Sequence, residues 1–297
     1  MKPDISNGVL FENAAIVGVG LIGGSIGLAA RRRGIVRRVI GVGRAEQRLM
    51  RAKILGAIDD YSLDMQAGVA EADLIILCPP VRLVIPMLEQ IVESLKPGAI
   101  VTDAGSTKAE IVEQAEAIMP PGTFFVGGHP MAGSEQTGVN AARADLFEGA
   151  TYVLTSGKRT DLAALSKLCE FAAALGSRVE ILDAQQHDRA VAVISHLPHA
   201  IASALMQLTE DCHRRSGKAF QLAAGSFRDL TRIADSSPEL WRDICLTNAG
   251  SICEAITGIQ SILDELKVAL DSEDEEAVES FFQKGKELRE MYLRVTR

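Results

Sequence analysis

The chain has 297 residues, 47% of them hydrophobic, which suffices for two domains with their own cores. A net charge of −8 argues against a nucleic-acid partner or an anionic membrane surface. The five cysteines are scattered without a Cys-x-x-Cys pair, no apolar run reaches the roughly 18 residues of a membrane span, and no signal peptide is recognisable. We therefore expect a cytoplasmic protein with reduced thiols and no membrane contact.

Short apolar segments alternate with helical patterns along the first half of the chain. Strands are predicted at residues 14–19, 36–42, 72–78, 99–102, 123–126 and 151–154. Helices are predicted between most of them, for example at residues 21–33, 81–95 and 108–119. Strands that alternate with crossover helices are typical of a parallel sheet in a doubly wound α/β domain.

A glycine-rich segment follows the first predicted strand and begins the first helix. Gly18, Gly20 and Gly23 fit the pattern G-x-G-x-x-G, with Leu21 and Ile22 between the last two. The first glycine allows a tight turn, the second lets a pyrophosphate approach the helix N-terminus, and the third allows close packing of helix on strand. This context predicts a dinucleotide site.

The end of the second predicted strand bears on the choice of dinucleotide. The acid that holds the adenosine ribose in NAD-binding domains is absent at Gly43, and Arg44 follows at once. An arginine there can pair with a 2′-phosphate, so we predict NADP over NAD. The alternative is that Arg44 only begins the next helix on a solvated face.

Polar or rigid residues follow the later strands, at the edge of the sheet where ligands bind. Pro79 stiffens the loop beside the expected cofactor, and His129 is a candidate general base. Ser106 either orients His129 or belongs to the start of the next helix. There, Thr107 and Glu110 are predicted to form a capping box.

The character of the chain changes near residue 183. Asp183 is predicted to cap a helix, and no convincing strand follows, so residues 184–297 are predicted to form a helical domain after a dinucleotide-binding domain at residues 1–183. Residues 190–194 are apolar on every face, which predicts a helix buried all round. Pro198 should kink that helix.

Several side chains of the helical half are candidates for substrate binding. Ser195 and His199 are four residues apart and share a helix face. Arg232 offers a planar fork that suits a carboxylate. His196 is interpreted as a satisfied core histidine, whereas His187 is either an interface residue or a support for the site.

Taken together, the chain closely resembles the prephenate/arogenate (cyclohexadienyl) dehydrogenase family of tyrosine biosynthesis. The resemblance rests on GVGLIGG at residues 18–24, DAGS at 103–106, GHPMAGSE at 128–135, SHLPH at 195–199, TRI at 231–233 and WRD at 241–243. It implies a Rossmann-type domain followed by an all-α dimerisation domain, and hence a cytoplasmic homodimer acting on a small molecule. It also implies NAD(P)-dependent oxidative decarboxylation of prephenate to 4-hydroxyphenylpyruvate without a metal.

The resemblance also implies roles for individual residues. His129 accepts the proton of the ring hydroxyl, and Ser106 positions both groups. Arg232 holds the ring carboxylate, and His199 the side-chain end of the substrate. The remaining substrate-site residues that it implies are Ser134, Glu135 and Ser195. The chain shows no βαββαβ pattern after the helical half, so regulation by an ACT-type domain is expected to be absent.

Three alternatives stay open at this point. The first is an arogenate dehydrogenase, or an enzyme that accepts both substrates, because the two differ only in a keto or amino group. The second is another two-domain dehydrogenase, in which a lysine of a mid-chain helix is the expected catalytic group. The third is a nucleotide sensor without catalysis, which would need only the cofactor loop.

Overall fold

The computed structural model describes residues 8–134 and 136–295. It divides into two compact units, the first ending at Asn248 and the second beginning at Ala249. This division follows packing and does not test the domain boundary predicted between residues 183 and 184, which stays a prediction. The described part of the first unit contains eight strands: β1 (Phe11–Val17), β2 (Val36–Val42), β3 (Asp60–Ser62), β4 (Leu74–Leu77), β5 (Ile100–Asp103), β6 (Phe124–Pro130), β7 (Thr151–Ser156) and β8 (Arg178–Asp183).

The strands form one sheet in the order β3-β2-β1-β4-β5-β6-β7-β8. β1 to β6 are parallel in the 3-2-1-4-5-6 order of a Rossmann fold, β7 runs antiparallel to β6, and β8 is parallel to β7. The predicted doubly wound α/β fold is thus confirmed. The prediction missed β3, which has three residues, and β8, an exposed edge strand without a long apolar run.

Apolar residues cover both faces of the sheet, because neighbouring side chains of a strand point to opposite sides. In β4, Leu74 and Ile76 pack into one hydrophobic cluster, and Ile75 and Leu77 into the other. All four are at most 1% exposed. Burial on both faces explains why this strand is an unbroken apolar run in the sequence.

Residues 8–134 and 136–295 contain twelve α-helices, ten of which lie in the first unit. They are α1 (Leu21–Arg32), α2 (Glu46–Ile54), α3 (Met65–Val69), α4 (Val84–Ile91), α5 (Ala109–Ile118), α6 (Leu162–Ala174), α7 (Ala184–Val191), α8 (Leu197–Ser216), α9 (Gly225–Thr231), α10 (Pro238–Thr247), α11 (Ala249–Asp271) and α12 (Glu275–Val295). Beyond β8 the described residues form helices and turns but no strand, as predicted. The second unit consists of α11 and α12.

The helix that begins at Asp183 confirms one local prediction and corrects another. The Asp183 carboxylate accepts hydrogen bonds from the N–H groups of Gln185 and Gln186, so the predicted cap is present. The expectation that residues 190–194 are buried all round is wrong, because Val193 and Ile194 are 56% and 66% exposed within the chain. Only part of this apolar surface is used within the chain.

Pro198 was expected to disturb the same helix. A π-helical turn, Ala192–His196, separates α7 from α8, and Pro198 lies in the first turn of α8. A proline lacks the N–H that would continue the α-helical bond pattern, so the irregular turn lies where the sequence predicts a break.

One helical stretch, from Ala184 to Ser216, is long and apolar enough to cross a membrane by length and composition. A core helix of a folded domain meets the same criteria. This stretch includes His187 and Asp188, which are 0% and 3% exposed and hydrogen-bonded within the first unit. The stretch is therefore weak support for a membrane span.

Candidate active site

The glycine loop forms one wall of the candidate site. Gly18 has a φ of +92°, and a Cβ there would lie 3.0 Å from the Cys78 carbonyl oxygen, so the turn requires glycine. A Cβ on Gly20 would meet nothing within 4 Å, and α1 begins at the next residue without a side-chain cap. Open space in front of an uncapped helix N-terminus suits a phosphate group.

A cavity of about 970 Å³ lies in front of this loop. Its wall combines the glycine loop with the segments that follow β4, β5 and β6 and with the start of α10. The predicted residues among its lining are Gly20, Leu21, Ile22, Pro79, Ser106 and Ser134. The fold therefore brings together cofactor-loop and strand-end residues that are more than 100 positions apart in the sequence.

His129 lies near the end of β6 and is held by a chain of buried groups. Its Nδ1 lies 2.8 Å from Nε2 of His187, and Nδ1 of His187 lies 2.7 Å from Oδ1 of Asp188. The side chains of His187 and Asp188 are 1% and 4% exposed. His129 is thus connected through a second imidazole to a buried carboxylate.

The Asp188 carboxylate also binds the N-terminus of α5. Its Oδ1 accepts the N–H of Lys108 at 2.8 Å, and its Oδ2 accepts the N–H of Ala109 at 2.9 Å. These are two of the N–H groups that a helix start leaves unpaired. Asp188 therefore connects α7 to α5, and its Oδ1 also accepts a hydrogen bond from His187.

The predicted capping box at the same helix start is wrong. The side chain of Thr107 makes no bond to the α5 backbone, and its hydroxyl instead lies 2.9 Å from that of Thr247. Asp188, from another helix, takes the place of the expected local cap. Because a distant carboxylate satisfies the donors, a local side chain is not needed there.

A fully buried ion pair supports the backbone next to His129. The ammonium of Lys108 bonds to the Asp103 carboxylate, and both side chains are 0% exposed. Asp103 also accepts the N–H groups of Gly105 at 2.8 Å and Gly128 at 3.1 Å. One carboxylate thus joins the turn after β5 to the residue preceding His129.

Burial controls the protonation of this region. Removal from solvent lowers the pKa of His129 well below its ordinary range, and the nearby His187, Lys108 and His196 lower it further. Burial likewise lowers the pKa of Lys108, an effect that Asp103 and Asp188 oppose. His129 is therefore neutral at physiological pH, which is the form a general base requires.

The SHLPH segment forms a separate aromatic cluster. Nδ1 of His199 donates to the main-chain carbonyl of Ser195 at 2.9 Å, so the two predicted residues are neighbours, but through the backbone. The His199 ring stacks on Trp241 with a centroid separation of 3.9 Å. His196 contacts the edge of the same indole, and burial lowers the pKa of His196 to about 4. His196 is a neutral core residue, in line with its interpretation.

Other predicted site residues lie outside this cavity or cannot be placed. Arg232 lines a different depression of about 780 Å³, with Arg228 and Asp229 among its neighbours. Arg44 is exposed directly after β2 and makes no hydrogen bond or ion pair with the described residues. Glu135 lies outside the described residues.

Several groups near the site have no role that the sequence predicts. These are Asp103, Lys108, Asp188, Asn248, Arg82 and Asp243. A signal for one of them exists in the sequence: a lysine at the start of a helix opposes the helix dipole, so Lys108 needs a compensating acid. The long-range partners of the others have no local signature.

Comparisons with known proteins identify the class to which this fold and site belong. The family model described as "Prephenate dehydrogenase, nucleotide-binding domain" matches residues 26–181, and "Prephenate dehydrogenase, dimerization domain" matches residues 183–284. The prephenate dehydrogenase of Bacillus subtilis (strain 168) is 37% identical over 280 residues, which cover 94% of this chain and 76% of that protein.

Solved structures give the same result. A prephenate dehydrogenase from Aquifex aeolicus in complex with hydroxyphenyl propionate and NAD+ matches with a TM-score of 0.89 and 34% identity, covering 95% of this chain and 98% of the other. An arogenate dehydrogenase from Synechocystis matches with a TM-score of 0.85 and 33% identity, covering 94% and 99%. The fold is that of a nucleotide-binding oxidoreductase. The chain belongs to the prephenate/arogenate dehydrogenase family.

Proposed function

We propose that this enzyme oxidises and decarboxylates prephenate to 4-hydroxyphenylpyruvate, with NADP or NAD as the electron acceptor. The observation that carries the proposal is the position of His129, a neutral histidine held by buried groups near the end of β6. His129 does not itself line the cavity that begins at the glycine loop, but the segment that follows it, from Ala132 to Gly138, does. Membership of the family supports the substrate class.

The residues of the chain supply the acid–base part of this reaction. Nε2 of His129 accepts the proton of the ring hydroxyl while the hydrogen on the same ring carbon leaves with its electron pair. The C–C bond to the ring carboxylate breaks and CO2 departs. The electron pair of that bond stays with the ring and makes it aromatic. The proton returns to the phenolic oxygen, so the reaction releases none. When bound, the nicotinamide ring supplies the hydride acceptor.

The other predicted residues act on binding and orientation. Ser106, in the cavity wall, orients the substrate hydroxyl toward His129, and Ser134 lines the mouth of the site. We propose His199, Ser195, Arg232 and Glu135 as further substrate-binding residues. Arg232 opens on a different depression of this chain, so its role requires the substrate or a second copy of the chain to approach that surface.

The cofactor site fits a dinucleotide. The open space at Gly20 accommodates the pyrophosphate near the start of α1, with Gly18, Leu21, Ile22 and Gly23 forming the loop and Pro79 the facing wall. We propose a preference for NADP because Arg44 is exposed and unpaired among the described residues at the place where a 2′-phosphate would lie.

The first test is a matrix of steady-state assays that combines prephenate or arogenate with NAD or NADP. We expect reduction of cofactor with prephenate, fastest with NADP. Preference for arogenate would make the chain an arogenate dehydrogenase, the alternative within the same family. No turnover with any pair would refute the proposed function and favour a nucleotide sensor.

The second test removes the proposed base. His129→Asn should lower kcat by about 10²–10⁴, the usual contribution of a general base, and leave cofactor binding intact. Fluorescence titration with NADPH checks binding, and His213→Asn is a matched control at a half-buried histidine of α8 that does not line the cavity. Near-normal turnover of the His129 variant would exclude this mechanism.

The third test addresses the cofactor preference. Arg44→Ala should raise KM for NADP about 10- to 100-fold, because a charge-assisted hydrogen bond contributes about 1.5–3 kcal/mol and 1.4 kcal/mol corresponds to a factor of ten. KM for NAD should change little. Arg48→Ala, an exposed neighbour on α2, is the control. An unchanged KM for NADP would remove Arg44 from the cofactor site.

We also propose that the protein is a cytoplasmic homodimer formed through the helical half. Residues 183–284 match a dimerization-domain model. Many large apolar side chains of the helical half are exposed in the single chain, among them Val193, Ile194, Leu208, Leu222, Leu230 and Leu246. Apolar surface of this extent is typical of a protein interface.

A further inference from the structure

We infer that His187 and Asp188 set the tautomer of His129 and are positioning residues of the reaction. The inference rests on the proposed function, in which His129 is the base, and extends it to two side chains that do not line the described cavity. Both lie on α7, the first helix after the sheet, and they connect that helix to β6.

Each hydrogen bond of the chain has only one possible direction when His187 is neutral. Both oxygens of Asp188 already accept backbone N–H groups, from Lys108 and Ala109, so the carboxylate also accepts toward His187. The proton of His187 must then be on Nδ1, which leaves its Nε2 as an acceptor.

The same reasoning continues to His129. Because Nε2 of His187 accepts, Nδ1 of His129, at 2.8 Å, must be the donor. A neutral imidazole has one proton, so Nε2 of His129 carries the lone pair. This nitrogen is the one that the reaction needs as the proton acceptor.

The surroundings favour this arrangement over one with a charged pair of rings. Lys108 at the start of α5 and His196 in the π-helical turn both disfavour positive charge on His129. Among the described residues, two carboxylates hydrogen-bond to the groups around His129. Asp188 is separated from His129 by His187, and Asp103 is paired with Lys108. When His129 accepts the substrate proton, it becomes positively charged. The Asp188 carboxylate then stabilises that charge through the hydrogen bonds that His187 makes to both residues.

Ring nitrogen chemical shifts test the tautomer without any assay of activity. In protein labelled with ¹⁵N-histidine, with His129 assigned by comparison with His129→Asn, we expect a protonated Nδ1 and an unprotonated Nε2 near pH 7.5. A proton on Nε2 of His129 would overturn the inference. This result does not depend on the substrate, so it is independent of failure of the proposed function.

Kinetics of His187 variants test the functional consequence. His187→Phe removes both hydrogen bonds and should lower kcat about 10²-fold with little change in KM for prephenate, because a misoriented base impairs the chemical step. His187→Gln presents an amide oxygen toward His129 and a donor toward Asp188, so we expect it to recover at least tenfold of that loss.

The pH profile separates a positioning role from a structural one. In the inferred arrangement His187 is neutral and accepts from Nδ1 of His129, which favours protonated His129, so its removal should shift the acid limb of kcat/KM to lower pH. A shift to higher pH would instead report the loss of repulsion between two charged rings and would contradict the inferred arrangement. A purely structural role would lower activity without moving the limb. A kcat within threefold of wild type and an unmoved limb in folded His187→Phe would overturn the inference; if that variant does not fold, the nitrogen shifts of the wild type decide.

Discussion

Gly128, the residue before His129, has no room for a side chain. A Cβ there would lie 2.6 Å from the main-chain oxygen of Asp103 and 2.8 Å from Oγ1 of Thr102. The backbone oxygen cannot move without breaking the β5–β6 register that joins Thr102 to Val126. Any side chain at this position must therefore displace the strand that carries the base.

We accordingly expect Gly128→Ala to destabilise the fold by about 1–3 kcal/mol, the range for overpacking a filled interior, and to lower kcat through displacement of His129. Urea denaturation and steady-state assays measure the two effects. Gly225→Ala is the matched control, because a Cβ there meets nothing within 4 Å. Equal stability of the two variants would contradict this account.

The buried histidines make stability depend on pH. The pKa of His196 falls to about 4 in the folded chain and that of His129 also falls, so both are neutral when folded but take up protons near pH 6.5 when unfolded. The unfolded state therefore binds more protons between pH 4 and 6.5, and stability must rise with pH across this window and level off above it.

This predicts a lower urea midpoint at pH 5 than at pH 7.5. His196→Gln should reduce the difference, because one of the two titrating groups is removed. A midpoint that is flat between pH 5 and 7.5 would show that these rings do not carry the effect.

At the scale of elements, the sequence predicted the strands and helix caps that depend on residues close together in the chain. The strand β4 was predicted because burial on both faces leaves an unbroken apolar run. The cap of α7 was predicted because the Asp183 carboxylate and the two N–H groups that donate to it lie within four consecutive residues. The cap of α5 was predicted wrongly, since Asp188 is 79 residues away from Ala109.

The same difference between local and long-range determinants applies to the candidate site. His129 and Ser106 were predicted as site residues because each follows a predicted strand, and ligands of such sheets bind at that edge. The links from His129 to His187 and from Asp103 to Lys108 were missed, because pairing between side chains depends on tertiary packing that no local pattern specifies.

The cap of α7 gives a prediction that separates stability from catalysis. Asp183→Ala and Asp161→Ala each remove a side-chain cap, of α7 and α6 respectively, and each should cost about 1 kcal/mol. Only α7 carries His187 and Asp188, so only the Asp183 variant should also lower kcat. Equal kcat in both, with equal loss of stability, would show that fraying of α7 does not reach the site.

At the scale of the whole molecule, apolar exposure distinguishes the two halves. Leu208 and Leu222 of the helical half are 64% and 78% exposed, and Ile54 and Leu162 of the sheet half are 70% and 78% exposed. The two pairs are similarly exposed. More large apolar side chains are exposed along the helical half of the chain than along the sheet half. Only the first pair lies within the segment that matches the dimerization-domain model.

We expect the double variant Leu208→Asp and Leu222→Asp to weaken the proposed dimer, because it places charges in an apolar interface. Light scattering should then report the mass of one chain at concentrations where the wild type has twice that mass. The double variant Ile54→Asp and Leu162→Asp is the control and should keep the wild-type mass. Dissociation of the control alone would place the interface on the sheet half.

The buried contact between Asp103 and Lys108 also restricts how this sequence can change over evolutionary time. Replacing either residue alone leaves an uncompensated charge in a dry interior, which typically costs about 3–5 kcal/mol. That loss is a large share of the 5–15 kcal/mol by which domains are usually stable. Drift at these two positions should therefore require near-simultaneous substitution, so that among diverging descendants the acid and the lysine are inherited, or lost, together.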